Sequence, residues 1–178
     1  MDKKNWLKFV IGWVVVFAVR LFPFRPPNVE PVLATLMPFS KRFGYWSSFL
    51  FGFLSIGLFD LATGKLGQWT LLTGITYGLV GVGAAYFFRK RNATALSFAA
   101  YGFIGTIAYD AVTGLSMGPL FFGQSLSDAF FGQIPFTLAH LAGTLVLAVL
   151  VSPALYRWVV ENKRLETTSV FRFRGAEA

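Results

Sequence analysis

The sequence predicts an all-α integral membrane protein, a bundle of six transmembrane helices in which the second helix is short. Hydrophobic residues make up 55% of the 178 residues and charged residues only 13%, with a mean hydropathy of +0.60. That charged fraction is about half the value of an average soluble domain. The basic residues lie between and beyond the apolar runs, a pattern typical of membrane topology. The net charge of +8 therefore indicates orientation in a membrane, and no nucleic-acid partner is expected.

Apolar segments bounded by charged or helix-breaking residues define the predicted helices. A span of the ~30 Å hydrocarbon core needs about 20 residues. The second segment is short and carries Pro31 and Pro38, so it is the weakest of the six. One domain, residues 1–160, contains all six helices, and residues 161–178 form a polar cytoplasmic tail. The predicted helices cover residues 6–22, 29–39 (extending as far as 43), 45–61, 68–88, 93–112 and 133–160.

The basic residues also predict the orientation of the helices. With six spans and an inner N-terminus, 13 of the 16 basic residues lie on the inner side. A five-span arrangement with a re-entrant second helix places 12 there, so this rule does not choose between them. We expect a multi-pass protein of the cell (inner) membrane with both termini in the cytoplasm. The loops at residues 62–67 and 115–132 then face outward.

The pattern Asp-x-x-Thr-Gly occurs twice, at residues 60–64 and 110–114, each time where an apolar helix is expected to end. This repeated pattern indicates either a duplicated helix pair, as in many transporters, or two ordinary helix stops. Small residues on the fourth helix, at positions 74, 78, 81 and 85, predict close helix packing.

Polar side chains on three helices are the candidate solute-binding residues. On the sixth helix they recur at helical spacing, which places them on one face that either meets a solute or bonds to neighbouring helices. Tyrosine and tryptophan on the fourth and fifth helices could stack against a planar ring. The acids at the outer end favour a cationic or amine-bearing solute, or simple ion pairing. The candidates are Trp69, Thr73, Tyr77, Thr106, Tyr109, Asp110, Gln133, Thr137 and His140.

The segment 115–132 is expected to be a long outward loop with Gly118 and Gly123 as hinges. An apolar loop over a polar pocket would exclude water from a bound solute, whereas the plainer interpretation is a segment resting on lipid. Gln124 and Asp128 complete the candidate solute-binding residues from this loop.

Several classes of site are excluded by the residues present. The chain has no cysteine and one histidine, so thiolate and multi-histidine metal sites are absent from the sequence. It has no Walker A sequence, nucleophile elbow or His-Glu-x-x-His motif. We therefore expect no catalytic residues, no metal and no cofactor.

Two segments, Arg25-Pro26-Pro27-Asn28-Val29-Glu30-Pro31 and Gln133-Ile134-Pro135-Phe136-Thr137-Leu138-Ala139-His140, carry a resemblance over residues 6–160. In size and helix layout the chain resembles the substrate-binding S component of an energy-coupling factor (ECF) transporter. The resemblance implies high-affinity uptake of a vitamin or related micronutrient, with a membrane scaffold subunit and two ATPases as partners. Many members carry Ala-x-x-x-Ala on helix 1, and this chain lacks it. The alternative is a non-transporting membrane scaffold protein that holds partners through its glycine stripes and basic face.

Overall fold

The computed structural model describes residues 4–166. Within them all regular secondary structure is helical, and there are no strands. Four helices are long and apolar enough to cross a membrane, as expected of a membrane helical protein. The C-terminal part of the predicted tail lies outside the described residues. The helices are α1 (Trp6–Leu21), α2 (Val32–Ala62), α3 (Gln68–Phe88), α4 (Ala95–Phe122) and α5 (Leu126–Leu155), followed by a π-helical turn (Tyr156–Val160) and a 3₁₀ turn (Lys163–Leu165).

The helix α2 is a hairpin of two helical arms. Gly44 has φ 76° and ψ −171°, which breaks the helix between residues 32–43 and residues 45–62. In a straight helix, residues 12 apart would be separated by about 18 Å. The rings of Phe39 and Phe51 instead stack with centroids 4.7 Å apart, so the chain reverses at Gly44. The two arms correspond to the second and third predicted helices.

Replacing Gly44 with alanine tests this reversal. An added Cβ would meet nothing within 4 Å, so only the positive φ opposes the substitution. We expect Gly44→Ala to lower the free energy of unfolding by about 1–2 kcal/mol, measured by denaturant unfolding in detergent. Gly57→Ala is the matched control, because it lies in the same hairpin with ordinary helical φ and equally open space. Equal stability of the two variants would contradict the reversal.

The first arm of α2 is the centre of the bundle. Every residue from Val32 to Ser40 is buried. At 1.5 Å per residue, residues 32–43 extend about 18 Å, roughly half the hydrocarbon thickness. A helix that is apolar all round is buried on all sides. This short helix therefore begins inside the bundle, at the level of the polar residues described below.

The predicted loop at residues 115–132 is wrong, because almost all of it is helical. The helix α4 continues to Phe122, and α5 begins at Leu126 after a turn in which Gly123 has φ 64°. Gly114 is not a helix stop here. Its missing side chain instead makes room for the side chain of Gln133 on α5, which lies directly against it.

The two Asp-x-x-Thr-Gly segments also differ in structure. The first ends a helix, since α2 stops at Ala62 and Gly64 adopts φ 68°. The second lies inside α4. The expectation that both mark helix ends is therefore wrong for residues 110–114.

Close packing by glycine on α3 is confirmed. A Cβ on Gly81 would lie 2.6 Å from the Ser48 carbonyl oxygen, and one on Gly52 would lie 2.5 Å from the Tyr77 carbonyl oxygen. The second arm of α2 and α3 thus approach backbone to backbone, a contact that only glycine allows. This contact fixes the position of Tyr77 in the bundle.

Two lysines connect helix ends at one end of the bundle through hydrogen bonds to backbone carbonyls. The Lys8 ammonium donates to the Val160 carbonyl (2.9 Å), and the Lys41 ammonium donates to the carbonyls of Phe88 (2.9 Å) and Arg91 (2.7 Å). The start of α1, the Gly44 turn, the end of α3 and the end of the π-helical turn therefore lie together. We call this the basic end, and the opposite end the far end.

Candidate functional site

A cavity of about 180 Å³ lies where the chain between α1 and α2 meets α3, α4 and α5. That connection enters the bundle, because a Cβ on Gly143 of α5 would lie 2.9 Å from the Val29 Cα. The absence of a side chain at Gly143 thus makes room for the backbone at Val29, one helical turn from His140. The cavity is lined by polar, charged and aromatic side chains: Arg25, Asn28, Glu30, Tyr77, Tyr109, Phe136 and His140.

A buried carboxylate–imidazole pair joins α4 to α5 at this cavity. The Asp110 Oδ1 and His140 Nδ1 atoms are 2.8 Å apart, and both side chains are at most 3% exposed. A hydrogen bond between these two atoms needs one proton, which Nδ1 carries when Asp110 is ionised, because a carboxylate only accepts. The outer atoms of the pair, Asp110 Oδ2 and His140 Nε2, are buried and have no partner in the protein. Because His140 lines the cavity, its Nε2 atom remains available to bond a guest molecule.

Aromatic rings form one side of the cavity. The rings of Tyr77 and Tyr109 stack with centroids 3.9 Å apart. The His140 ring meets Tyr109 and Phe136 edge to face, each at a centroid distance of 6.0 Å. The Tyr77 hydroxyl is buried without a hydrogen-bond partner. This side of the cavity therefore combines a planar apolar surface with one free hydroxyl.

A second ion pair lies at the same level. Arg20 Nε of α1 is 3.4 Å from Glu30 Oε2, and each side chain is 16% exposed. The Arg20 guanidinium also lies 4.0 Å from the centre of the Phe59 ring, a cation–π contact. Arg25 donates from Nη1 to the Val29 carbonyl (2.5 Å), which holds the connection in its bent course. Glu30 keeps Oε1 buried and unpartnered beside the cavity.

The acids of this half of the protein each have a hydrogen-bond or ion-pair partner among the described side chains. Glu30 pairs with Arg20, and Asp110 pairs with His140. At the far end, Asp60 accepts from the Thr70 hydroxyl (2.7 Å). Asp128 accepts from the Ser125 hydroxyl (2.6 Å) in the N-terminal cap of α5. Of these partners, only Arg20 is a permanent cation, so the expectation of a cationic or amine-bearing solute stays a prediction.

Three of the eleven candidate residues line the cavity, Tyr77, Tyr109 and His140, and Asp110 adjoins it through its hydrogen bond to His140. Thr106 is fully buried one turn from Asp110, and its hydroxyl has no partner. It does not line the cavity, but it extends the polar face of α4 towards the basic end.

The other six candidates lie elsewhere. Trp69 and Thr73 bond to backbone carbonyls four residues back, so their polar atoms are satisfied locally. Gln124 and Asp128 are exposed at the far end. Gln133 donates to the Thr137 hydroxyl (3.2 Å), and both residues line an apolar groove of about 250 Å³ between α4 and α5. The predicted polar stripe of the sixth helix is thus divided between this groove and the interior.

The structure adds five residues that were not among the candidates: Arg20, Arg25, Asn28, Glu30 and Phe136. The first four lie near or within the proline-rich breaker segment. Their signal was the density of polar groups in a short connection, together with a backbone at Asn28 that adopts φ 63°. A positive φ in a non-glycine residue often accompanies a constrained functional site.

The arrangement suits reversible binding of a small polar molecule. The cavity offers acceptors, a hydroxyl and aromatic faces, but residues 4–166 contain no group of three His, Asp or Glu side chains placed to hold a metal ion. No family model, curated protein or solved structure matches this chain.

Proposed function

We propose that this protein is a membrane-embedded solute-binding subunit for high-affinity uptake, and that the cavity around Asp110 and His140 is its binding site. The observation that carries the proposal is the set of buried polar atoms without partners on residues that line the cavity: Glu30 Oε1, Tyr77 OH and His140 Nε2. An unsatisfied buried polar group costs about 1–3 kcal/mol, and more when it is charged. A bound polar molecule would satisfy these atoms together.

The shape and charge of the cavity favour a small planar solute. Its volume of about 180 Å³ equals the share of roughly six liquid water molecules, below the 300–1,000 Å³ or so of drug-sized ligands. The Arg20–Glu30 pair beside the cavity carries no net charge, and the unpartnered atoms suit a neutral or zwitterionic molecule with hydrogen-bonding groups on its edge. The aromatic side formed by Tyr77 and Tyr109 favours a flat ring. A vitamin-like heterocycle or a fragment of one has these properties.

The proposed arrangement crosses the cell (inner) membrane six times, and the second crossing consists of the connection between α1 and α2 followed by the half-length first arm of α2. Lysines and arginines concentrate at the basic end, so the positive-inside rule puts that end and both termini in the cytoplasm. Solute would then enter from the outer side, past the connection that carries Arg25 and Asn28.

ECF-type partners, a scaffold subunit and two ATPases, belong to the same proposal. The interface with them would differ from an Ala-x-x-x-Ala surface. A Cβ at Gly12 of α1 would lie 2.8 Å from the rings of Phe39 and Phe51, so this small residue faces the bundle and not a partner. The glycines at 52 and 81 are likewise used inside the bundle, which weakens the alternative of a scaffold protein that holds partners through glycine stripes.

A ligand panel tests the proposal. Purified protein is screened by thermal unfolding against vitamins, nucleobases and their neutral and zwitterionic relatives. A solute present at 100 times its Kd should add about 2.7 kcal/mol of stability. Tyr77→Phe should weaken the response about tenfold by removing one hydrogen bond, whereas Thr73→Val on the same helix should leave it unchanged. If a solute stabilises Tyr77→Phe and His140→Gln as much as the parent protein, the binding site lies elsewhere.

A further inference from the structure

A second cavity, of about 440 Å³, opens at the basic end between α3 and α4. Three consecutive cations line it, Arg89, Lys90 and Arg91, all exposed and directly after the last residue of α3. None of the ion pairs found among residues 4–166 involves them. Within residues 4–166, their positive charge is therefore not neutralised by an ion pair.

Neighbouring contacts hold this cluster in place. The Lys41 ammonium donates hydrogen bonds to the carbonyls of Phe88 and Arg91, and these bonds hold the turn after α3 in place. The Phe88 carbonyl belongs to the negative end of the α3 dipole, so the ammonium offsets a partial charge that would repel an anion. The Arg91 guanidinium lies 4.0 Å from the centre of the Phe87 ring, which orients it further.

The remaining lining is aromatic. Tyr101 is anchored by donating its hydroxyl hydrogen to the Val80 carbonyl (2.6 Å), and a Cβ at position 83 would lie 2.6 Å from that hydroxyl. Because residue 83 is glycine, the cavity stays open beside the Tyr101 hydroxyl, and a side chain at this position would narrow it. Tyr86 is 71% exposed, and Leu79, seven residues earlier on the same face of α3, is 59% exposed. An apolar strip thus leads from the cluster along the helix.

We propose that this cavity binds the phosphate of an anionic phospholipid, with its acyl chains along the exposed apolar face of α3. Arginine and lysine are the side chains that bind phosphate oxygens, and basic pockets between membrane helices suit lipid headgroups. The site lies at a helix end, where headgroups are found. A free phosphate ion would bind the same three cations but would make no contact with the apolar strip. A phospholipid, with a phosphodiester and acyl chains, fits the whole surface.

Native mass spectrometry and thermal unfolding of the full chain test the site. The protein is supplied with equal amounts of phosphatidylglycerol and phosphatidylcholine in detergent. The parent protein should retain phosphatidylglycerol preferentially and be stabilised by it. Each cation near a headgroup contributes about a fivefold preference, so Arg89→Gln/Arg91→Gln should lower the preference about 25-fold. The matched control, Arg42→Gln/Arg157→Gln, removes the same charge from exposed positions outside this cavity and should keep the preference.

Three results would overturn the assignment: no preference in the parent protein, an equal loss in both double variants, or replacement of the lipid by millimolar inorganic phosphate. The solute panel proceeds in phosphatidylcholine alone. Failure of the lipid site therefore leaves the proposed solute site untouched, and the reverse also holds.

Discussion

Replacing His140 with alanine is expected to lower the free energy of unfolding by about 3–5 kcal/mol. The substitution leaves the Asp110 carboxylate, 1% exposed, without its only hydrogen-bond partner in the bundle interior. Removing one member of a buried pair costs more than the pair contributes, because an uncompensated charge remains. Reversible unfolding in mixed micelles measures the change, and solute binding should be lost in the same variant.

The double variant His140→Ala/Asp110→Ala separates this explanation from simple loss of packing. Since it removes the stranded charge, it should be more stable than the sum of the two single losses by at least about 1 kcal/mol. Asp128→Ala is the control, an exposed acid that bonds only to the cap of α5 and should cost about 1 kcal/mol. Additive losses, or a His140→Ala loss no larger than that of Asp128→Ala, would contradict the buried pair.

Replacing Gly52 with alanine should have the next largest effect, a loss of about 1–3 kcal/mol. The new Cβ would lie 2.5 Å from the Tyr77 carbonyl oxygen and 2.9 Å from a Leu36 methyl. A backbone atom cannot rotate away, so α3 must move from the second arm of α2. Because Tyr77 lines the cavity, the same variant should weaken solute binding. Unfolding in mixed micelles and a binding isotherm measure the two effects.

Gly57→Ala is the matched control in the same arm of α2. Nothing lies within 4 Å of its added Cβ, so alanine should be neutral or stabilise the helix by up to about 1 kcal/mol. Similar stabilities of Gly52→Ala and Gly57→Ala would mean that the close approach of α2 and α3 is not present in the protein.

Much of the fold could be predicted from the sequence because membrane helices carry a strong hydropathy signal. The bounds of α3 agree residue for residue, and α1 differs by one residue. The error at residues 115–132 came from treating Thr113-Gly114 as a helix stop, and the helix also continues through Pro119. In lipid, glycine is a packing residue, and a proline inside a long helix is tolerated because neighbouring groups satisfy the freed carbonyl.

The candidate site was half predictable. Asp110 and His140 stood out because ionisable groups in apolar helices are costly. The first arm of α2 gave no such signal, since a helix buried on all sides has no amphipathic pattern. Its position determines where the preceding connection enters the bundle. From sequence alone, Arg20, Arg25 and Glu30 are therefore predicted to be interfacial. In the structure Arg25 and Glu30 line the cavity, and Arg20 pairs with Glu30.

The central claim is that the cavity around Asp110 and His140 holds a small polar solute. Equilibrium dialysis of the purified protein against a mixture of polar metabolites, with mass spectrometry of the retained compounds, tests it most directly. We expect at least one neutral or zwitterionic planar compound to be enriched by the parent protein and by Thr73→Val, and its enrichment to be lost in His140→Gln and Asp110→Asn. Equal enrichment in all four proteins, or in none, would contradict the claim.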